Sequence, residues 1–166
     1  MQERFPPGRG QASQARSNRA SIVRDCKALL QGYIRMTDRN LLPDEKDLAI
    51  RVMAMPADTN AAGDIFGGWL MSQVDIAGSI IARRRANGRT VTVAVDSFQF
   101  RQPVFVGDLI SCYAMITRVG RTSLTINVKA FAERQQENHE ILLVTEADLT
   151  YVAVDEKRRP RKLPPE

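Results

Sequence analysis

The window NAAGDIFGGWLMSQVD (60–75) collects groups that can do chemistry: a side-chain amide (Asn60), two carboxylates (Asp64 and Asp75) and a glycine pair (Gly67, Gly68). The glycines fall in the first turn of an expected helix. Backbone N–H groups there lack intrahelical acceptors, and glycine leaves them unscreened. With the positive end of the helix dipole, they form a site for developing negative charge. A glycine pair also permits a sharp loop-to-helix entry, and the residues alone leave both readings open. Asp75 is the second oddity, a carboxylate inside an otherwise apolar helix. Burying even a neutral polar group without a partner costs about 2–7 kcal/mol. In dry surroundings Asp75 therefore needs a partner or a job; in wet surroundings it is an ordinary exposed residue.

The elements that must position these groups follow from periodicity. Apolar spacing predicts a helix from about Phe66 to Ala86, closing at Asn87-Gly88 with Gly88 as cap. At ~100° per residue, Phe66, Leu70, Ala77, Ile80 and Ile81 form a core stripe. Asp75 points nearly the opposite way, among Gly67, Gly68, Met71, Ser72, Gly78, Ser79 and Ala82. That second face is small rather than charged, so it is expected to be covered too. Since one five-stranded sheet should not cover both faces of a helix, a second copy of the chain is the expected cover. Gly67 and Asp75 are also roughly 12 Å apart along one helix axis. One copy's pair therefore cannot grip a single reacting carbon, whereas two antiparallel helices across a two-fold axis can.

Strand-like alternation marks LAIRVMAM (48–55), TVTVAVDSFQF (90–100), DLISCYAMITRV (108–119), SLTINVKAFAE (123–133) and ILLVTEADLTYVAV (141–154). VGRT between two of these runs signals a hairpin. One strand, one long helix and four further strands, without alternating helices, predict an α+β domain with a mostly antiparallel sheet.

Composition narrows the function classes. The chain has 166 residues and a formal net charge of +5. Residues 1–35 hold seven of the 24 basic and two of the 19 acidic side chains, leaving 17 of each in the remainder. A neutral body lacks the footprint of a nucleic-acid binder. No apolar run reaches the ~18 residues of a membrane helix, and no secretory signal opens the chain; a cytoplasmic protein without stable membrane insertion is expected. Cys26, Cys112 and His139 are too few and too scattered for a metal site. The expected organisation is an N-terminal tail over 1–45, a body over 46–162 and a short tail over 163–166. The first 35 residues read as a transit-like segment or as an extension upstream of a start at Met36.

The stretches MPADTNAAGDIFGGWLMSQVDIAG (55–78), TVTVAVDSFQF (90–100), PVFVGD (103–108), VGRTS (119–123) and LTYVAVD (149–155) together resemble the YciA-like group of hotdog-fold acyl-CoA thioesterases, relatives of the brain-type acyl-CoA hydrolases. The resemblance spans about residues 48–162. It implies a long central helix wrapped by a five-stranded antiparallel sheet. It also implies an active site at a dimer interface, with dimers assembling into a hexamer as a trimer of dimers. By motif position, Asp75 matches the catalytic carboxylate, Asn60 the catalytic amide, and Gly67, helped by Gly68, the donor that polarises the carbonyl. Asp64 is a weaker candidate, able to cap the helix N-terminus.

The implied reaction is hydrolysis of an acyl-CoA thioester, with no metal or redox cofactor, CoA being part of the substrate. Asp75 acts as general base or as nucleophile, and sequence does not choose between them. The hairpin TRVGRTS offers Arg118, Gly120, Arg121, Thr122 and Ser123 to the CoA phosphates, with Arg101 as a possible addition. The C-terminal EKRRPRK (156–162) reads as a solvated tail in which Arg159 is worth testing. Hotdog dehydratases acting on acyl carriers use a histidine, which this helix lacks. The competing reading is an acyl-CoA-binding sensor without catalysis, which has no need for Asn60 and Asp75 together.

Overall fold

The computed structural model describes residues 42–134 and 140–165. The readings of the N-terminal tail, of Cys26 and of His139 lie outside these residues. A 3-10 turn at Glu45–Asp47 leads into β1 (Leu48–Met53). A second 3-10 turn, Pro56–Asp58, and a tight loop precede α1 (Gly67–Ala86). Then follow β2 (Thr90–Phe100), β3 (Leu109–Val119), β4 (Ser123–Arg134) and β5 (Glu140–Ala153).

The five strands form one sheet in the order β1-β3-β4-β5-β2, with every pairing antiparallel. Every expected strand is present, with ends within two residues of those read from alternation. LAIRVMAM stops two residues early, at Met53. Ala54 turns away to exchange backbone bonds with Asp108 and Gly107 at 2.9 Å each. The VGRT hairpin closes through Gly120 N–H to Ser123 O at 2.8 Å.

The sheet's inner face carries Ile110, Cys112, Leu124, Ile126, Val128, Leu149 and Tyr151, all essentially inaccessible to solvent. A fully buried Val, Leu or Ile contributes about 1.5–3 kcal/mol. The helix packs into this face with Leu70, Val74 and Ala77, and Ile81 lies partly buried beside them.

The core stripe differs from the one read at ~100° per residue: Val74, fully buried, joins it, and Phe66, Gly78 and Ala82 sit elsewhere than expected. Phe66 is 58% exposed. It stands outside the helix at the N-cap with extended backbone (φ −64°, ψ 126°), so a helical projection misplaces it. Gly78 and Ala82, expected on the face that a second copy covers, are buried within this chain. The reason is Tyr151 of β5, whose hydroxyl lies against the position that a Gly78 side chain would occupy. One sheet thus curls far enough to cover part of the second face, and the premise that it could not is corrected. A glycine within a helix costs about 1 kcal/mol relative to alanine; at Gly78 that cost makes room for the tyrosine.

The rest of that side stays open. Ile76 is 45% exposed, and Val93 and Phe100 of the edge strand β2 are 56% and 54% exposed, with Met71 and Val95 also accessible.

The helix ends in a Schellman arrangement. Gly88 N–H reaches Arg83 O and Asn87 N–H reaches Arg84 O, each at 3.2 Å. The left-handed residue is Asn87 (φ 43°), one before the expected glycine cap. Arg161 then donates from Nη2 to Ala86 O at 2.7 Å, setting a cation on the negative end of the helix dipole. Within the C-terminal stretch Arg161 is thus tied to the helix end, while residues 156–160 and Lys162 stay exposed as expected. Leu163 N–H bonds Arg121 O at 3.0 Å, and Arg85 donates to Pro164 O at 2.9 Å.

Candidate active site

The loop before the helix is folded around Asn60. A bridge between Thr59 and Ile65 pinches it. The Asn60 side-chain oxygen accepts from the N–H of Ala62 (2.8 Å) and of Asp64 (3.2 Å), the self-bonding turn that asparagine favours. Its amide nitrogen donates to nothing among the described residues, so that end of the side chain is open for work. Asp64 does not cap the helix: the N-cap is Phe66, with no side-chain cap bond. The Asp64 carboxylate is exposed, and its backbone is committed to Asn60, with Asn60 N–H to Asp64 O at 2.7 Å.

Phe66 N–H to Asp58 O (2.8 Å) and Ile65 N–H to Val104 O (3.1 Å) fix where the helix begins. The N–H groups of Gly67 and Gly68 have no backbone acceptor among the described residues, as a first helical turn requires. A Cβ on Gly67 would stand 3.2 Å from the Phe100 ring, and one on Gly68 would collide with Phe66. Both glycines therefore serve close packing of two exposed aromatic rings as well as open amides.

Asp75 is half-buried, two turns further along the same helix. Its Oδ1 accepts from Thr92 Oγ1 at 2.7 Å and from Tyr151 Oη at 3.1 Å. The Tyr151 hydroxyl also lies 3.0 Å from the Asp75 backbone carbonyl. Oδ2 has no hydrogen-bond partner among the described residues. Burial, reinforced by the neighbouring Asp75 carboxylate, raises the Tyr151 phenol above its ordinary range, so it stays protonated and able to donate. The half-buried carboxylate thus has partners, and one of its oxygens remains open.

Sequence reasoning missed Thr92 and Tyr151 as site residues. Tyr151 carried a usable signal: a phenol in an apolar strand run needs a hydrogen-bond partner. Thr92 carried none beyond its place in an alternating strand.

The structure places Asn60, Asp64, Gly67 and Gly68 at the start of the helix and Asp75 beyond them. In one copy the carboxylate and the open amides stay apart, as the helical rise requires.

The hairpin residues Arg118, Gly120, Arg121, Thr122 and Ser123 lie together at the β3–β4 turn. The guanidinium groups of Arg118 and Arg121 are exposed and unpaired among the described residues. The turn is held from below by Ala153 N–H to Thr122 O at 2.8 Å and by the Leu163 bond to Arg121. Arg101 does not join them within one copy. It follows Phe100, which is level with Thr145 on β5, whereas Ser123 is level with Val152. Seven strand residues separate these levels, roughly 23 Å. Arg101 is instead paired with Glu146 at 3.1 Å. Arg159 is likewise ion-paired, with Asp155 at 3.0 Å, on an exposed stretch. Among the described residues no cluster of His, Cys, Asp and Glu could hold a metal, and no helix is long and apolar enough to cross a membrane.

A curled antiparallel sheet around one long helix, bearing a hydrogen-bonded carboxylate on its open side, is the architecture of a hotdog-fold protein. Comparison with known proteins agrees. A thioesterase superfamily profile matches residues 62–138. The acyl-CoA thioester hydrolase YciA of Escherichia coli (strain K12) is 50% identical over 122 residues, covering 72% of this chain and 92% of the relative. The hexameric thioesterase of Yersinia pestis superposes with a TM-score of 0.70 at 50% identity, over 75% of this chain and 100% of that one. A hexameric hotdog fold thioesterase of Campylobacter jejuni gives 0.70 at 40% identity, over 74% and 93%. The chain belongs to the hotdog thioesterase superfamily and, within it, to the YciA-like acyl-CoA thioester hydrolases.

Proposed function

We propose that this chain hydrolyses acyl-CoA to a free fatty acid and CoA, in a cleft shared by two copies. The observation that carries the reading is Asp75, with Oδ1 held by two donors and Oδ2 open. The names of relatives at 50% identity support the substrate class.

In the proposed reaction, the N–H of Gly67, assisted by Gly68, donates to the thioester carbonyl oxygen and takes up the charge that develops there. Asp75 of the other copy either accepts a proton from the attacking water or attacks the carbonyl carbon itself. In both routes the C–S bond breaks, CoA leaves as a thiolate and is reprotonated; in the second, water then cleaves the mixed anhydride, releasing the fatty acid and restoring the Asp75 carboxylate. The free amide end of Asn60 orients water or substrate. Arg118 and Arg121, with Gly120, Thr122 and Ser123, receive the CoA phosphates. Within one copy Asp64 braces the loop and Arg101 is ion-paired with Glu146; any part they take comes through the shared cleft.

Pairing of copies is supported by exposed apolar side chains on the helix (Met71, Ile76) and on the edge strand β2 that supplies Thr92 (Val93, Val95, Phe100). An exposed apolar edge strand needs a cover. A hexamer like those of the Yersinia pestis and Campylobacter jejuni thioesterases is the proposed assembly. The functional domain is taken as residues 46–162, working in the cytoplasm without metal or redox cofactor.

The test is release of free thiol from acyl-CoAs of graded chain length by the purified protein, alongside its native mass. Thiol release by an oligomer is expected. A monomer, or an oligomer that binds acyl-CoA without releasing thiol, overturns the reading.

A further inference from the structure

We propose that Tyr151 is a positioning residue for Asp75, and that with Thr92 it reserves Oδ2 as the oxygen that does the work. This rests on the proposed role of Asp75 as the reacting carboxylate.

A carboxylate on a helix can rotate about its last side-chain bond and present either oxygen. Here two hydroxyl donors converge on the same one: Thr92 Oγ1 from β2 at 2.7 Å and Tyr151 Oη from β5 at 3.1 Å. They arrive from different strands, so a rotation that frees Oδ1 breaks both bonds at once. Carboxylate oxygens accept in this way without losing their second oxygen to the same donors. Tyr151 is the stiffer of the two anchors. Its ring is fully buried, and its hydroxyl also lies 3.0 Å from the Asp75 backbone carbonyl. The phenol thus references the side chain to the helix that carries it. The helix accommodates the phenol only because residue 78 is glycine, since a methyl there would collide with the hydroxyl. A tyrosine that served packing alone would be met as well by its ring, and would not require that clearance around its oxygen.

The test uses the full-length oligomer. Tyr151→Phe deletes one oxygen and keeps the ring. The expected result is a kcat lower by on the order of tenfold, with KM for acyl-CoA within about twofold, because misaligning a reacting group affects the chemical step rather than binding. Combined with Asp75→Asn, the same change should lower the residual rate no further, as two members of one unit behave. A purely structural role would shift stability and leave kcat intact.

Should Tyr151→Phe fail to assemble, site-specific fluorotyrosines at position 151 keep the ring and tune the donor. kcat should then follow phenol acidity across the series. A kcat unchanged by Tyr151→Phe or by the fluorotyrosines, beside an inactive Asp75→Asn, overturns this inference and leaves the proposed function standing. A fully active Asp75→Asn overturns both.

Discussion

Consider Asp75→Asn. Asparagine keeps the shape of aspartate, and its carbonyl oxygen can still accept from Thr92 Oγ1 and Tyr151 Oη in place of Oδ1. What is lost is the charge assistance of those two bonds, about 1 kcal/mol each for a group that is half-buried rather than dry. For a chain of this size about 2 kcal/mol lowers the melting temperature by roughly 4–8 °C, so the variant should be folded at 25 °C. The chemistry should suffer far more. An amide neither takes a proton from water at neutral pH nor attacks a carbonyl. Removal of a general base costs about 10²–10⁴-fold, and removal of a nucleophile at least as much. The arginines at the hairpin are untouched, so CoA should bind as before. The assay is thiol release at saturating acyl-CoA, paired with calorimetric titration of CoA. Near wild-type turnover with normal CoA binding would refute the mechanism, because the helix carries no other carboxylate.

Arg121→Ala should raise KM for acyl-CoA more than it lowers kcat, since a phosphate contact serves ground and transition states alike; a pure kcat loss in steady-state kinetics would contradict that role. Arg161→Met removes the guanidinium from Ala86 O and Val154 O, bonded at 2.7 and 3.2 Å. It should cost about 2 kcal/mol, read as a lower melting temperature with kcat retained. The thiol of Cys112 is pushed up to about 12, from an ordinary 9.0, by burial. Its contribution to stability is therefore full below pH about 9 and is lost as pH rises toward 12, at up to about 1.4 kcal/mol per pH unit. Denaturant midpoints between pH 8 and 11 should fall less steeply for Cys112→Ala than for the unaltered chain, and parallel slopes would contradict the assignment.

The strands and the helix were legible because they are local. Alternation in SLTINVKAFAE and the 3.6-residue period of GGWLMSQVDIAG are properties of neighbours. The faces of the helix were less so. Whether Gly78 and Ala82 meet solvent, a second copy or this chain depends on how far the sheet curls, and periodicity does not encode curl. Phe66 was misplaced because a helical projection assumes helical backbone one residue too early. The site divided in the same way. Asn60, Gly67, Gly68 and Asp75 share one window, so spacing exposed them. The partners that hold Asp75 lie 17 and 76 residues away on different strands. Arg161, 75 residues from the carbonyl it caps, looked like a solvated tail for the same reason.

Helical rise links this geometry to assembly. At 1.5 Å per residue, no change of side chain brings the Gly67 amide and the Asp75 carboxylate of one copy onto the same carbon. A chain that uses both must either bend the helix between them or borrow one from a neighbour. A bend is ruled out by the packing: the helix is continuous over Gly67–Ala86, and Leu70 and Val74 sit in the core between the two positions. Borrowing requires an open surface near the carboxylate, and Met71 and Ile76 of its own helix and Val93 and Val95 of the strand that supplies Thr92 are left exposed. The partner seated there on the proposed reading would bury apolar surface and complete the cleft in one step. Folding of each copy and activity of the pair are thus separable: substitutions under the sheet act on the first, and substitutions on the Ile76–Val93 band act on the second.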